Sequence, residues 1–158
     1  MKLTSFTDYS LRVLIFLAAD PTRRATIAEV AEAFDVSAHH LTKVVHFLGK
    51  EGWLANVRGK GGGMELALPA QHIVVGRVVR AAEGADLPAE CFGDEPDHCP
   101  IARVCRLRGV FKEAVGAFYA VLDRYTLADL VQNRAALGRV LGIQALAPRD
   151  IAARARAG

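Results

Sequence analysis

Apolar residues recur at helical spacing near the N-terminus. Positions 3, 6, 13, 14 and 17 are apolar and share one helical face, and Asp-Pro at 20–21 ends the pattern. We therefore predict an amphipathic helix over residues 6–19. Its longest uninterrupted apolar run, 13–19, has seven residues. Such a run is too short to span a membrane, so we expect no membrane association.

Two short helices joined by a tight turn are predicted next. Thr26 and Glu29 match a capping box, in which each side chain satisfies a free backbone amide at a helix start. This helix extends to about residue 34. Asp-Val-Ser at 35–37 forms a turn, with Ser37 as the N-cap of a helix that ends near residues 51–52. Two short helices with a three-residue turn between them are typical of the helix-turn-helix motif.

A β-hairpin is predicted immediately after this motif. Residues 53–58 and 64–68 alternate between apolar and polar, and Gly-Lys-Gly-Gly-Gly at 59–63 between them is typical of a turn. A helix-turn-helix followed by a basic, glycine-tipped hairpin is a winged helix. We assign this module to residues 1–70, with Pro69 closing it.

The region after the winged helix changes character at residue 84. A helix is predicted over 73–82, within a connecting region of 71–90. Between 84 and 99, Gly, Pro and Asp are frequent and no helical or strand period survives. We therefore predict a long loop, and long loops in compact proteins are commonly functional.

A coiled-coil seam is indicated in the last third of the chain. Apolar residues at 107, 111, 114, 118, 121 and 125 alternate spacings of four and three. Because so short a seam needs a partner surface, we predict a dimerisation helix over 107–132 and a homodimer. Thr126 is suited to cap a short helix there. Residues 133–158 are expected to hold one more helix over 133–141 and a disordered, Ala/Arg-rich tail.

The predicted fold class is mainly α: a winged helix-turn-helix with a small two-stranded wing plus a long dimerisation helix. The 158 residues are 52% hydrophobic and 23% charged, which is enough apolar material for a packed core. The formal net charge of +3 is compatible with nucleic acid without arguing for it. We find no nucleotide loop after a strand, no nucleophile motif and no paired acids. An enzyme is therefore not expected.

The second helix of the helix-turn-helix directs polar side chains outwards. Leu41, Val44, Val45 and Leu48 share its apolar face, so the opposite face is placed to reach base edges or phosphates. In the wing, basic residues stand beside glycines that allow close approach to a groove. An ordinary solvated helix face, or a winged fold used for protein contacts, is the alternative interpretation. The predicted DNA-binding residues are Ser37, His39, His40, Thr42, Lys43, Arg58, Lys60, Gly61 and Gly62.

The three cysteines, Cys91, Cys99 and Cys105, are separated by seven and five residues. Their odd number does not suit a disulfide framework and is compatible with a metal site in a reducing, cytoplasmic compartment. A zinc site that recruits His98 lacks the usual close cysteine pair. Metal-free thiol switching and idle cysteines are further alternatives. Wide spacing in one polar loop suits a bulkier iron–sulfur cluster, and we assign residues 91–106 as the cluster-binding loop.

Together these motifs resemble the Rrf2 family of winged-helix regulators, and within it the members that sense nitric oxide. The resemblance runs from residue 1 to about residue 129, roughly four fifths of the chain. It is carried by the cysteine loop and by four stretches: Thr-Asp-Tyr-Ser-Leu-Arg at 7–12, Ser-Ala-His-His-Leu-Thr-Lys-Val-Val at 37–45, Arg-Gly-Lys-Gly-Gly-Gly at 58–63 and Leu-Asp-Arg-Tyr-Thr-Leu-Ala-Asp-Leu at 122–130. As a set these motifs are specific, whereas the wing alone is not.

The resemblance implies a cytoplasmic, homodimeric repressor that binds an inverted-repeat operator in double-stranded DNA. It implies a [4Fe-4S] cluster that reacts with nitric oxide, and control of nitric oxide detoxification genes. The three cysteine ligands of such proteins match Cys91, Cys99 and Cys105. Their fourth ligand is an Asp in the first helix of the other subunit, which here matches Asp8, with Arg12 one turn later.

Alternatives remain at the fourth ligand and in the function. Family members with a [2Fe-2S] cluster use a His shortly after the third cysteine, where this chain has Arg-Leu-Arg at 106–108. His98 is a possible stand-in for Asp8, which leaves [2Fe-2S] as the alternative cluster. Asp8 also suits the first turn of a helix and could pair with Arg12 instead of binding metal. The alternative functions are a regulator that responds to iron status or oxidants and a zinc-stabilised DNA-binding protein.

Overall fold

The computed structural model describes residues 3–59, 61–84, 100–101 and 104–143. The chain is mainly helical, with one two-stranded antiparallel sheet among the described residues. The elements, in chain order, are α1 (Ser5–Ala19), α2 (Ile27–Phe34), α3 (Ala38–Lys50), β1 (Leu54–Val57), β2 (Gly63–Leu66), a 3-10 turn (Ala70–His72), α4 (Val75–Glu83), α5 (Leu107–Leu122), α6 (Leu127–Leu130) and α7 (Arg134–Val140). This order confirms the winged helix followed by further helices.

Local sequence signals explain where the first helices begin. The Thr4 hydroxyl accepts a hydrogen bond from the Thr7 amide at 3.3 Å and caps α1. The capping box predicted for α2 is confirmed, since the Thr26 amide donates to the Glu29 carboxylate at 2.6 Å while the Glu29 amide donates to the Thr26 hydroxyl at 3.2 Å. Ser37 occupies the N-cap position of α3, but its exposed side chain makes no capping hydrogen bond. The expected hydroxyl cap is therefore wrong there, and solvent is its available partner.

The wing is shorter than its alternating sequence pattern suggested. β1 and β2 pair Leu54 with Leu66 and Val57 with Gly63. The outer edge of β2 pairs in turn with the loop between α1 and α2, where Ala25 forms an isolated bridge with Met64. Backbone hydrogen bonds of 3.0 and 2.7 Å join these two residues in both directions. The wing is thus held along both edges of its second strand.

The core is organised around α1, which contacts α2, α3, α4, α6, α7 and β2. Its sequence suggested an amphipathic helix, but Val13, Leu14, Phe16, Leu17 and Ala18 are all buried. The C-terminal half of α1 is therefore enclosed on nearly every side, because helices from the end of the chain pack against it. The polar positions that keep α1 amphipathic lie in its N-terminal half.

The predicted dimerisation segment 107–132 is not one continuous helix. α5 ends at Leu122, and a second capping box, between Thr126 and Asp129, begins α6. The predicted short helix at Thr126 is thus confirmed. The intervening turn is fixed to the start of α4, because the Val75 amide donates to the Tyr125 carbonyl at 2.9 Å. No residue of α5 is buried in the single chain, and Leu107, Val110 and Val121 are exposed.

Two polar contacts tie α4 to its neighbours. Arg80 donates to the two carboxylate oxygens of Asp123 at 2.8 and 2.5 Å, and its guanidinium lies 4.4 Å from the centre of the Tyr119 ring. At the C-terminal residue of the same helix, one turn after Arg80, Glu83 accepts hydrogen bonds from the amide and the hydroxyl of Thr4 at 2.8 and 3.0 Å. These contacts fix α5 and the start of α1 to the same helix. Among the described residues no helix is long and apolar enough to cross a membrane.

Candidate DNA interface and metal ligands

α3 presents the polar surface that its sequence predicted. Leu41, Val44, Val45 and Leu48 are buried against the rest of the winged helix. The opposite face is exposed, and it carries the candidate DNA-binding residues Ser37, His39, His40, Thr42 and Lys43. The Thr42 hydroxyl donates to the Ala38 carbonyl at 2.9 Å, so that proton is already engaged within the helix. Its lone pairs still face solvent.

The described part of the wing tip consists of glycines that follow Arg58. Arg58 and Gly61 are exposed, Gly62 is partly exposed, and Lys60 lies outside the described residues. A Cβ atom on Gly62 would collide with the Val57 carbonyl and lie 2.8 Å from that of Gly59. The turn itself therefore requires glycine at this position. Close approach to a groove, the reason suggested by the sequence, is not needed to explain it.

Arg24 lies beside the wing, although sequence reasoning did not single it out. Its Nε atom donates to Glu65 on β2 at 2.7 Å, and its Nη1 atom reaches the Gly61 carbonyl at 3.5 Å. The sequence shows two adjacent arginines in a loop, but their position at the wing depends on the pairing of Ala25 with Met64. That long-range pairing leaves no local pattern.

Asp8 lies in the N-terminal half of α1 and pairs with Arg12 at 2.7 Å. Their side chains are 47% and 39% exposed, so the carboxylate is accessible to another molecule. Arg12 also contacts two aromatic rings, with its Cζ atom 5.9 Å from the centre of Tyr9 and 5.6 Å from that of Phe34. The predicted pairing of Asp8 with Arg12 is present. Arg12 therefore joins Asp8 to α2 as well as to its own helix.

Ring contacts continue from α1 to the outer face of α3. Tyr9 stacks on His40, with ring centres 6.4 Å apart and planes 22° apart. His40 in turn lies 6.2 Å from His39 between ring centres. An uninterrupted series of contacts thus leads from the Asp8 carboxylate to two candidate DNA-binding side chains.

The hydrogen bonds of Glu83 fix the position of the first turn of α1. Burial raises the pKa of Glu83, but hydrogen bonds from Thr7 and Thr4 outweigh it, and the net pKa lies below its usual value. The carboxylate is therefore ionised at neutral pH and holds the capped end of α1, one turn from Asp8. Glu83 is also the last residue of α4, after which the chain leads to the cysteines.

Only one of the predicted cysteine ligands can be placed. Cys105 is a partly buried free thiol two residues before α5. Cys91, Cys99 and His98 lie outside the described residues. Within the described ranges no three His, Cys, Asp or Glu side chains are grouped closely enough to hold a metal ion. The donor chemistry still fits an iron site, because thiolates bind iron–sulfur clusters and Asp8 offers an accessible carboxylate.

A family model described as "Rrf2: Iron-dependent Transcriptional regulator" matches residues 3–133. The chain belongs to the Rrf2 family. The "HTH-type transcriptional regulator NsrR" of Geobacillus kaustophilus is 46% identical to it over 142 residues, which cover 89% of this chain and 97% of the relative. The protein of the same description from Bacillus subtilis shows the same identity and coverage.

Solved structures agree with this assignment. The structure titled CymR, the global cysteine regulator of B. subtilis, superposes with a TM-score of 0.65 at 28% identity, covering 84% of this chain and 98% of CymR. As a member of the Rrf2 family the chain is a helix-turn-helix transcriptional regulator and not an enzyme. In helix-turn-helix proteins the second helix of the motif, which corresponds to α3, enters the major groove of DNA.

Proposed function

We propose that the chain is a homodimeric repressor that releases its operator when nitric oxide reacts with a [4Fe-4S] cluster. Cys91, Cys99 and Cys105 of one subunit would hold the cluster together with Asp8 of the other, and the target genes would serve nitric oxide detoxification. The observation that carries the proposal is the setting of Asp8. This carboxylate is accessible, and its ion-pair partner, Arg12, contacts Tyr9, which stacks on His40 of the candidate DNA-reading helix.

The ligand set supports a cluster with one weaker position. Three thiolates leave one iron to be bound by a different group, and a carboxylate is a more labile ligand than a thiolate. Arg-Leu-Arg at 106–108 follows the third cysteine, so the His expected for a [2Fe-2S] member of the family is missing from that position. When bound, the cluster would supply the iron with which nitric oxide reacts.

The exposed face of α5 supports the homodimer. Leu107 and Val121 belong to the predicted seam, and 54% and 45% of their respective surfaces are accessible in the single chain. Contiguous apolar surface of this kind on a soluble protein marks an interaction site. A second copy of α5 offers the matching face, since a two-fold dimer uses the same surface on both subunits.

Two-fold pairing would also place two reading heads, the winged-helix modules of the two subunits, on one DNA duplex. Dimers of helix-turn-helix proteins bind half-sites about one helical turn, or multiples of it, apart, which makes the operator an inverted repeat. In each head the exposed histidines and Lys43 of α3 would face the major groove. Arg58 and Lys60 of the wing would reach the neighbouring backbone or minor groove.

The coupling would run through the chain's own side chains. In this structure Arg12 pairs with Asp8. A carboxylate engaged by a partner subunit would leave the Arg12 guanidinium to its aromatic neighbours. One of these, Tyr9, packs on His40, and through this contact the state of Asp8 would be communicated to α3. A loss of only ~1.4 kcal/mol in DNA binding lowers the affinity tenfold.

The deciding experiment is anaerobic purification of the full chain followed by absorption spectroscopy, iron and sulfide analysis, and nitric oxide titration. DNA affinity is followed on a duplex that the wild-type protein selects from a random library. We expect about four iron and four sulfide per chain, as the [4Fe-4S] type requires, and a loss of affinity with nitric oxide. A colourless protein loaded with zinc would contradict the cluster. A cluster that reacts with nitric oxide without any change in DNA affinity would contradict the sensing function only.

A further inference from the structure

The second wing strand is braced from outside the wing. On one side β2 pairs with β1, and on the other Met64 pairs with Ala25 of the α1–α2 loop. The side chain next to that bridge, Arg24, reaches along β2 and donates to Glu65 at 2.7 Å. The same guanidinium approaches the Gly61 carbonyl in the tip at 3.5 Å. One arginine thus contacts both the strand and the turn of the wing.

The described part of the wing tip is rich in glycine. Gly59, Gly61 and Gly63 all have positive φ angles, of 96°, 77° and 149°. Glycine carries the largest backbone entropy of any residue, so this turn is costly to hold in one conformation. A backbone hydrogen bond from the Gly62 amide to the Gly59 carbonyl, at 2.9 Å, restrains the turn. An outside contact is therefore well placed to determine where Arg58 points.

Glu65 is unusual for a strand that faces DNA. Its side chain is 39% exposed on the wing, and a carboxylate there repels the phosphate backbone. By charge alone, its removal strengthens DNA binding, because each positive charge or lost negative charge at the interface adds to the electrostatic attraction. Electrostatic attraction to DNA does not explain a glutamate at position 65, whereas its ion pair with Arg24 does.

We propose that Arg24 and Glu65 are a positioning pair that fixes the wing tip for DNA binding, so that Glu65 strengthens binding despite its negative charge. Arg24 acts through Glu65 and the tip carbonyl instead of through a phosphate. The inference rests on the proposed DNA interface, since it concerns the orientation of the wing in that interface. It predicts an effect opposite in sign to the electrostatic one.

Glu65→Gln is the decisive variant, because it keeps the shape of the side chain and removes its charge. Affinity is measured anaerobically with the full chain, at four salt concentrations, on a duplex selected by the wild-type protein from a random library. We expect binding about 3- to 10-fold weaker, from the loss of a charge-assisted hydrogen bond, with an unchanged salt slope. Unchanged or tighter binding would overturn the proposal. Because exposed ion pairs contribute little to stability, the thermal midpoint should shift by less than about 4 °C.

A charge exchange provides a second, independent readout. Glu65→Arg alone adds positive charge to the wing, whereas Arg24→Glu combined with Glu65→Arg restores the ion pair in reverse. If only the net charge of the wing matters, Glu65→Arg alone binds DNA more tightly than the double variant. If the ion pair positions the wing tip, the double variant binds DNA more tightly than Glu65→Arg alone. The opposite order would overturn the proposal.

Two matched controls separate the possible failures. Glu113→Gln removes the same charge from the exposed surface of α5, away from the wing, and should leave affinity within about twofold. Arg58→Ala tests the wing as a DNA contact and should weaken binding while lowering the salt slope by about 0.9. Normal binding by Arg58→Ala would reject the wing interface itself. Weakened binding by Arg58→Ala together with normal binding by Glu65→Gln would reject the positioning pair alone.

Discussion

Arg80 on α4 binds both carboxylate oxygens of Asp123, the residue immediately after α5. The bidentate geometry fixes the angle between the two side chains as well as their distance. Gly76, one turn earlier on α4, leaves room for Asp123, since a Cβ atom there would collide with the carboxylate. This ion pair therefore adds an angular restraint on α5 to the backbone hydrogen bonds that join residues 73–75 to the turn after α5. In a dimer joined through α5, this pair sets the distance between the two reading heads.

Asp123→Asn should lower the midpoint of thermal unfolding at neutral pH and have less effect in acid. The Arg80 hydrogen bonds hold the pKa of Asp123 below its usual 3.8. A lowered folded-state pKa means that the stabilisation is complete above pH ~4 and is lost as the pH falls through the folded-state pKa. Thermal scans of variant and wild type from pH 7 to pH 3 check this. A difference between the two proteins that stays constant over this range would contradict it, and Glu113→Gln is the charge-matched control.

Asp8→Ala should separate cluster chemistry from DNA release. The variant keeps its three cysteines, so it should retain iron and sulfide with an altered absorption spectrum. For the wild type we expect nitric oxide to lower DNA affinity at least tenfold, and for the variant less than about twofold. A normal spectrum together with a normal nitric oxide response would return Asp8 to a purely helix-stabilising pair with Arg12.

Tyr9→Leu should weaken the communication between α1 and α3 without removing any ligand. The substitution keeps an apolar side chain but loses the ring that stacks on His40. We expect normal iron content and a nitric oxide effect on DNA affinity reduced about threefold or more, in keeping with the ~0.5–1.5 kcal/mol of such ring pairs. Tyr9→Phe keeps the ring and is the matched control. Equal responses in both variants would show that the stack does not carry the coupling.

Gly62→Ala should damage DNA binding with little effect on global stability. Its Cβ atom would collide with the Val57 carbonyl, so the tip must rearrange. We expect DNA binding at least tenfold weaker in a titration with the selected duplex. Gly116→Ala, in the middle of α5 with no neighbour within 4 Å of the new Cβ atom, should instead stabilise the protein by about 0.5–1 kcal/mol. Normal DNA binding by Gly62→Ala would show that the wing conformation is unimportant.

Val121→Glu should convert the dimer to a monomer. Val121 is 45% exposed in the single chain and lies on the predicted seam, so a carboxylate there would be buried without a partner in the dimer. Sedimentation analysis should show half the wild-type mass, and operator affinity should fall more than tenfold because each head binds alone. Lys112→Glu changes an exposed position of α5 outside the seam and should remain dimeric. A dimeric Val121→Glu variant would place the interface elsewhere.

The sequence predicted those features whose determinants are local. The capping boxes at Thr26 and Thr126 mark true helix starts, because both partners of each box lie within four residues. The wing glycines likewise predict the turn between β1 and β2. Asp8 is identified as a candidate ligand only through the family resemblance. Its ion pair with Arg12 is an ordinary surface pair and does not by itself indicate a metal site.

Features that depend on distant parts of the chain were missed or extended too far. The sequence predicts a dimerisation helix that extends to residue 132, but α5 ends at Leu122. It ends there because the following turn is hydrogen-bonded to residues 73–75. The burial of the C-terminal half of α1 depends on helices more than a hundred residues away. The contact of Arg24 with Glu65 spans 41 residues and depends on an unpredicted β-bridge. None of these relationships leaves a periodic signal in the sequence.

In the proposed switch, the stacking of Tyr9 on His40 has a consequence for repressor that is already bound to DNA. Free-energy coupling between two sites is reciprocal. If ligation of Asp8 raises the affinity of α3 for DNA by some factor, bound DNA raises the affinity of Asp8 for the cluster by the same factor. Repressor on its operator would then hold its cluster more firmly than repressor in free solution. At equilibrium, removing the cluster from repressor on its operator would therefore need a higher nitric oxide concentration than removing it from repressor in free solution.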